Sequence, residues 1–169
     1  MNTWNYREIV ACEADDFYDH YSRSGVNFLF YWKSQCPGFK ITLFTVPNRT
    51  SSWLLESLSK LEFIQFAMHG WNHESNFECY GWDYDKTKTL MQRTYTMFGE
   101  HYERSYKKIF KAPGWTITPD LNGYKAAPED PISKDNQAVY KALKDMNFVV
   151  VDRHYNHSRR PEGLPTICI

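Results

Sequence analysis

The sequence has no excess of charge of either sign, no long apolar run and no close pair of cysteines. Its 20 Lys and Arg residues balance 20 Asp and Glu residues, so no overall positive field would attract a nucleic acid or an anionic bilayer. No stretch approaches the 18 consecutive apolar residues of a membrane span. We therefore expect neither a membrane-spanning protein nor a nucleic acid partner.

The cysteines and the N-terminus carry no sign of secretion. The four cysteines are far apart and include no C-x-x-C pair, so we expect free thiols at Cys12, Cys36, Cys79 and Cys168. Residues 1–8 lack the basic flank and the apolar run of a signal peptide. Together these absences predict a soluble, cytoplasmic protein.

The chain is nevertheless rich in the residues that build a core. Hydrophobic residues make up 42% and aromatic residues 17% of the 169 positions, which is too much apolar surface for a disordered polar chain. The length is typical of one domain, and we find no internal repeat or linker. We expect one domain over residues 1–169.

Short apolar runs alternate with helix-like stretches along the chain. The runs resemble buried strands and cover residues 8–12, 39–46, 63–68, 109–112 and 148–151. The helix-like stretches cover 51–61, 84–108 and 134–146, and the candidate caps at the start of the first are Thr50, Ser51 and Ser52. This alternation predicts an α/β fold with a mostly parallel sheet, either open and doubly wound or an incomplete barrel. In both, function gathers at the carboxyl ends of the strands.

The first apolar run leads into the adjacent carboxylates Asp15 and Asp16. Adjacent acids repel, so we expect a cation near them. Neighbouring side chains on an extended backbone point in different directions, so one carboxylate could bind a metal while the other faces water or substrate. The alternative is an acidic pair that accepts backbone N–H bonds at a turn or helix start.

The third run ends in two histidines four positions apart, His69 and His73. If the chain turns into a helix after Gly70, both rings reach one side and could hold one ion. Neutral imidazole suits zinc, iron, cobalt or nickel better than magnesium or calcium. The alternative is a pair of hydrogen-bonded core histidines.

The fourth run passes directly into a cation and an aromatic residue. Lys111 could pair with the acidic couple, and Trp115 could form a flat wall against a sugar ring. The alternative is an ordinary strand exit with an extended lysine and a packed tryptophan.

The fifth run is followed by Asp152 and His154. A carboxylate that orients an imidazole can support proton transfer near neutral pH. A polar loop with surface histidines explains the same residues equally well.

Three segments, 13–17, 68–73 and 110–115, resemble in order and spacing the motifs of the polysaccharide deacetylase family, also called the NodB-homology or carbohydrate esterase family 4 group. The resemblance runs from about residue 9 to residue 153. It implies a distorted, incomplete (β/α) barrel with one divalent metal ion. It also implies hydrolysis of N-acetyl, less often O-acetyl, groups on a sugar or polysaccharide.

The resemblance also implies roles for individual residues. Asp15 matches the catalytic base, and Lys111 stands where the family usually has the arginine partner of that base. The metal ligands match Asp16, His69 and His73, which leaves a coordination position open for chemistry. Zinc is favoured, with cobalt, nickel or iron as alternatives. The residues expected to contact a carbohydrate or small acylated substrate are Trp71, Pro113 and Trp115.

The chain departs from the family pattern at three matched positions. Phe17 replaces a glycine, and Gly70 stands where serine or threonine is common. Lys111 keeps the charge of the usual arginine but cannot form its bidentate hydrogen bonds with a carboxylate. We therefore expect the side chain at 111 to have a weaker effect on Asp15.

The last family motif, which supplies a histidine as the general acid, is absent. Either the chain is shortened at its C-terminus and lacks the closing strand, or His154 or His157 acts instead as a catalytic acid. We favour shortening, because residues 164–169 resemble a strand with no following loop, and a missing neighbour would leave an exposed edge.

The leading hypothesis is therefore a metal-dependent deacetylase. One alternative is an inactive carbohydrate-binding relative that uses Trp71, Trp82 and Trp115 for stacking on sugars. Another is a hydrolase of a different non-peptide C–N bond on the same scaffold. A third is a globular α/β protein whose histidines are structural.

Overall fold

Six parallel strands form a sheet in which every strand lies beside its neighbour in the chain. The computed structural model describes residues 12–75, 78–102, 104–115, 131–152 and 163–168, excluding the side chains of 21–24, 115, 131–136, 152 and 166–168. Its sheet has the order β1-β2-β3-β4-β5-β6, and each adjacent pair is parallel. The strands are β1 (Cys12–Phe17), β2 (Ile41–Thr45), β3 (Ile64–His69), β4 (Tyr106–Lys111), β5 (Val149–Asp152) and β6 (Thr166–Cys168).

Helices fill the connections between the first five strands. They are α1 (Ser22–Gln35), α2 (Ser52–Ser59), α3 (Tyr84–Thr94), which continues into a π-helical turn (Tyr95–Gly99), and α4 (Pro131–Asp145). None of the described helices is both long and apolar enough to cross a membrane. A strand order that never reverses, combined with right-handed crossovers, places successive helices on the same face of the sheet. The prediction of an α/β fold with a parallel sheet is therefore confirmed. A doubly wound sheet needs a reversal of strand order, so this order is consistent with the incomplete barrel.

Contacts across the inner face show how strongly the sheet curls. Lys111 on β4 reaches Glu13 and Asp15 on β1, although β2 and β3 lie between them. In a flat sheet the backbones of β1 and β4 would be about 14 Å apart, which is three strand spacings and beyond the reach of a lysine. Phe44, Ala67 and Val151, from β2, β3 and β5, also form a small cluster. The inner face is therefore concave and partly closed.

Two larger apolar clusters lie on the outer face, between the sheet and its helices. The first joins Leu54 and Leu55 of α2 to Leu43 and Phe66 of the sheet. The second is built around α3 and α4, and it includes Met91, Tyr140, Leu143, Phe110 and Val150. Burial of these side chains attaches the helices to one face and leaves the other free for polar groups.

Several element boundaries differ from the sequence-based predictions. The helix predicted over 84–108 ends earlier, in the π-helical turn, and β4 begins at Tyr106 instead of 109. Helix α1 was not predicted at all. Its aromatic side chains Phe28, Tyr31 and Trp32 are exposed, so its apolar residues do not mark a buried stripe. Residues 8–11, where the first strand was predicted to begin, lie outside the described part of the chain.

Candidate metal centre and catalytic site

A bulge in β1 determines where the two adjacent aspartates point. Between Ala14 and Phe17, β1 has two residues where the paired stretch of β2 has one. Asp16 has a positive φ of 56°, a conformation that aspartate tolerates better than most residues. Regular alternation would put Asp15 and Asp16 on opposite faces. The extra residue lets both reach the concave side while Phe17 remains in the outer core.

Asp16 and the two histidines converge on one point. Asp16 Oδ1 lies 3.4 Å from His69 Nε2 and 2.9 Å from His73 Nε2. One ligand atom from each of the three residues lies within 4.8 Å of the others. The His69 side chain is buried, that of His73 is mostly buried, and that of Asp16 is half exposed. The cluster therefore has a protected inner wall and one side open to solvent.

The orientation of His69 leaves its Nε2 available as a ligand atom. Its other ring nitrogen, Nδ1, lies 3.0 Å from the backbone carbonyl oxygen of Lys111. A carbonyl can only accept, so Nδ1 carries a proton, and in the neutral ring the lone pair is then on Nε2. Backbone carbonyls hold metal-binding imidazoles in this way in many proteins.

The donor set fits a zinc-class ion. Tetrahedral coordination at 2.0–2.1 Å separates ligand atoms by about 3.3 Å, and the two distances from Asp16 bracket this value. Asp16 Oδ1 is buried and has no hydrogen-bond partner of acceptable geometry among the described residues, although both imidazoles are close to it. A cation between the three atoms would satisfy this orphaned oxygen.

The surroundings of Asp16 favour its ionised form. The polar contact with His69 lowers the pKa of the Asp16 carboxyl, and burial opposes this shift. The Lys111 ammonium lowers the pKa further, as do His69 and His73 when their rings are protonated. An ionised carboxylate is the form that binds a metal.

A buried lysine holds the second aspartate. Lys111 is only 1% exposed, and its Nζ lies 2.8 Å from Asp15 Oδ2 and also contacts Glu13 Oε1. The ring of Phe44 lies beneath the same ammonium group, with its centroid 5.2 Å away. The expected contact between Lys111 and an acidic residue is present. Glu13 was missed, although alternation along a strand places it on the same face as Asp15.

A second missed residue lies in the turn after β3. The Glu78 carboxylate accepts hydrogen bonds from the backbone N–H groups of Trp71, Asn72 and His73. Local sequence pattern contains no signal for a side chain that binds backbone groups five to seven residues away.

The residues predicted to contact substrate have different surroundings. Pro113 is buried beside Gly70. Trp71 is half-buried against the outer core, and the Arg93 guanidinium lies 4.8 Å from its ring centroid. The contact of either residue with substrate stays a prediction.

Of four other predicted residues, one is buried in the core and the side chains of three are not described. Trp82 is 2% exposed in the core, so the suggestion that it stacks on a sugar is wrong. The side chain of Trp115 and all of His154 lie outside the described residues, as does His157.

Comparison with known proteins finds a distant structural likeness. No family model matches the chain, and no curated protein matches its sequence. The fold is similar to that of the Xyl-CE4 domain of a multidomain xylanase from the hindgut metagenome of Trinervitermes trinervoides, with a TM-score of 0.54 and 14% sequence identity. The likeness covers 87% of this chain and 59% of the other chain. At this identity it supports the α/β fold with a partly closed parallel sheet.

Proposed function

We propose that the chain is a metal-dependent hydrolase that removes acetyl groups from an N-acetylated or O-acetylated sugar. In this proposal, residues 1–169 belong to one catalytic domain of the polysaccharide deacetylase type. The observation that carries it is that the two adjacent aspartates at the β1 bulge have different partners. Asp16 contacts the imidazoles of His69 and His73, whereas its neighbour Asp15 contacts a buried lysine. The structural likeness to a carbohydrate esterase domain favours the same class.

The formal charge of the cluster supports a divalent ion. Glu13, Asp15 and Asp16 contribute three negative charges and Lys111 one positive charge, which leaves two negative charges when the imidazoles are neutral. A divalent cation held by Asp16, His69 and His73 would balance this charge. Zinc suits a set of two imidazoles and one carboxylate, and cobalt, nickel and iron also accept it.

Asp15 is placed to act as the general base. Lys111 Nζ lies 2.8 Å from Oδ2. The Asp15 side chain is one-third exposed, so water and substrate can reach it. In the proposed reaction Asp15 accepts a proton from the attacking water, while Lys111 fixes the carboxylate and its charge. The bound ion would supply Lewis-acid polarisation of the scissile carbonyl.

The test is acetate release from N-acetylglucosamine oligomers by wild-type protein and Asp15→Asn. We expect the variant to lose at least 100-fold in rate, because a general base typically contributes 10²–10⁴-fold, while its zinc content stays that of the wild type. Asp85→Asn changes an exposed aspartate in the first turn of α3 and should leave the rate unchanged. An unchanged rate in Asp15→Asn would exclude the proposed base.

The same experiment separates the alternatives. Metal binding with acetate release supports the deacetylase, whereas metal binding with release of ammonia or an amine from another amide supports a different C–N hydrolase. Sugar binding that a chelator does not affect supports the inactive carbohydrate-binding relative. If the histidines are structural, His69→Ala and His73→Ala lower stability in a protein that holds no metal.

A further inference from the structure

Glu78 accepts hydrogen bonds from the backbone of the segment that carries His73. Its Oε1 accepts the N–H of Asn72 at 2.8 Å, and its Oε2 accepts the N–H of His73 at 3.0 Å. The N–H of Trp71 lies 3.2 and 3.1 Å from the two oxygens. One carboxylate therefore satisfies three consecutive backbone donors, an arrangement known from anion-binding nests.

The conformation of this segment explains why it needs such a partner. Gly70 has φ 62° and His73 has φ 49°, so the chain turns through left-handed conformations at both ends. For a residue with a side chain this costs about 1 kcal/mol or more. The same turns make the N–H groups converge, and unpaired they would add a further cost. The Glu78 carboxylate offsets both costs.

The space beside Gly70 is shaped for the carboxylate. A Cβ at position 70 would lie 2.3 Å from Glu78 Oε2 and 2.6 Å from Pro113 Cγ. The departure from serine or threonine at this position therefore has a physical reason, since a side chain there would displace Glu78 from the backbone.

Glu78 is itself held by the core. The turn Glu78–Gly81 carries Cys79, which has no exposed surface, and the next residue, Trp82, is 2% exposed. Both side chains pack in the cluster that contains Met68 of β3 and Phe110 of β4. The carboxylate is thus anchored on the two strands that supply His69 and Lys111.

We propose that Glu78 is a positioning residue that holds the His73 imidazole at the metal centre by fixing its backbone. This inference rests on the proposed function, because it assigns His73 as a ligand. Glu78 contacts neither the imidazole nor Asp16 in the described hydrogen bonds, so its effect on the metal passes through the main chain.

The first test uses metal-free protein and amide hydrogen exchange. In the wild type we expect the amides of residues 71–73 to be protected, in contrast to the amide of Glu74. In Glu78→Gln only one oxygen remains as an acceptor, so protection of these three amides should fall at least tenfold. Glu74→Gln changes an exposed carboxylate in the same loop and should leave the protection unchanged.

The second test measures zinc and cobalt affinity by titration with a competing chelator. We expect Glu78→Gln to weaken binding 10–100-fold, the range typical of residues that orient metal ligands, and to change the visible spectrum of the cobalt form. Glu74→Gln should bind zinc as the wild type does.

A double variant tests whether Glu78 acts through His73. If it does, adding Glu78→Gln to His73→Ala should weaken zinc binding by less than a further threefold, whereas a general structural effect would be fully additive.

The outcomes keep the two proposals apart. If the wild type binds zinc and Glu78→Gln binds it within twofold, the role of Glu78 is wrong and the metal site stands. If the wild type binds no zinc, the proposed function falls together with the role of Glu78 toward a metal. Should Glu78→Gln fail to fold, unprotected amides at 72 and 73 in the wild type would also overturn the inference.

Discussion

At the scale of the residue, the concave face is organised by a lysine that is almost completely buried. Lys111 pairs with carboxylates from β1, and its own carbonyl oxygen orients His69. The same residue therefore links the proposed base to the proposed ligand set. A buried ammonium without partners would cost several kcal/mol, so Lys111 depends on Glu13 and Asp15 more than these partly exposed carboxylates depend on it.

Gly70 offers a test of the turn between the two histidines. We expect Gly70→Ala to lower the free energy of unfolding by about 2–6 kcal/mol, because left-handed strain and overpacking each contribute about 1–3 kcal/mol. Urea denaturation measures the change. Gly81→Ala is the control, since Gly81 is exposed and a Cβ there meets nothing within 4 Å. Equal stability of the two variants would contradict the crowding at Gly70.

Single residues also show what local sequence can predict. Asp16, His69 and His73 were identified because acids and histidines beside apolar runs are conspicuous. Glu78 was not, because its partners are backbone groups that exist as a set only in the folded turn. Its role depends on φ angles, which a pattern of side chains does not contain.

At the scale of the element, the bulged strand β1 matters most for the site. The sequence predicted a strand that ends before the acidic pair, whereas β1 continues through it to Phe17. The bulge keeps Phe17 in the outer core and turns both aspartates inward. Pattern alone could not predict this, because one extra residue in a strand changes the face of every residue beyond it.

Helix α2 provides a test of a local prediction. Ser51 was one of three candidate caps, and its side chain accepts the N–H of Leu54 at 3.2 Å. We expect Ser51→Ala to lower the free energy of unfolding by about 1 kcal/mol. Ser57→Ala, in the same helix, removes only an exposed bond from the hydroxyl to the Trp53 carbonyl and should change stability by less than about 0.5 kcal/mol. Equal losses would mean that the cap contributes nothing specific.

At the scale of the whole molecule, curling of the sheet creates the site. Glu13 and Lys111 are 98 positions apart in the chain and three strands apart in the sheet. Only closure of the concave face brings them into contact. The outer apolar clusters stabilise this shape, because each of them joins helix residues to residues of several strands.

Burial of Tyr106 makes the folded state sensitive to alkaline pH. Burial raises the pKa of the Tyr106 phenol far above its usual value, so the folded protein keeps a proton that the unfolded chain releases above about pH 10. Stability from this group is complete below that pH and falls as pH rises, by about 1.4 kcal/mol per pH unit.

Urea denaturation between pH 9 and pH 11.5 tests this effect in Tyr106→Phe. The ring contacts with Phe66 and Phe98 remain possible in the variant, and we expect its stability to fall less steeply than that of the wild type above pH 10. Tyr31→Phe, on the exposed face of α1, should retain the wild-type slope. Identical slopes of stability against pH for all three proteins would show that Tyr106 does not lose its proton on unfolding in this pH range.

The sequence by itself determined the alternation of strands and helices and the chemical groups at the strand ends. These features are local, because apolar periodicity and residue type are properties of neighbouring positions. Tertiary structure decided that the sheet curls, that β1 bulges at Asp15 and Asp16, and that Glu13 and Glu78 belong to the site. Those features depend on contacts between residues far apart in the chain, and such contacts form only when burial of the two outer clusters sets the curvature of the sheet.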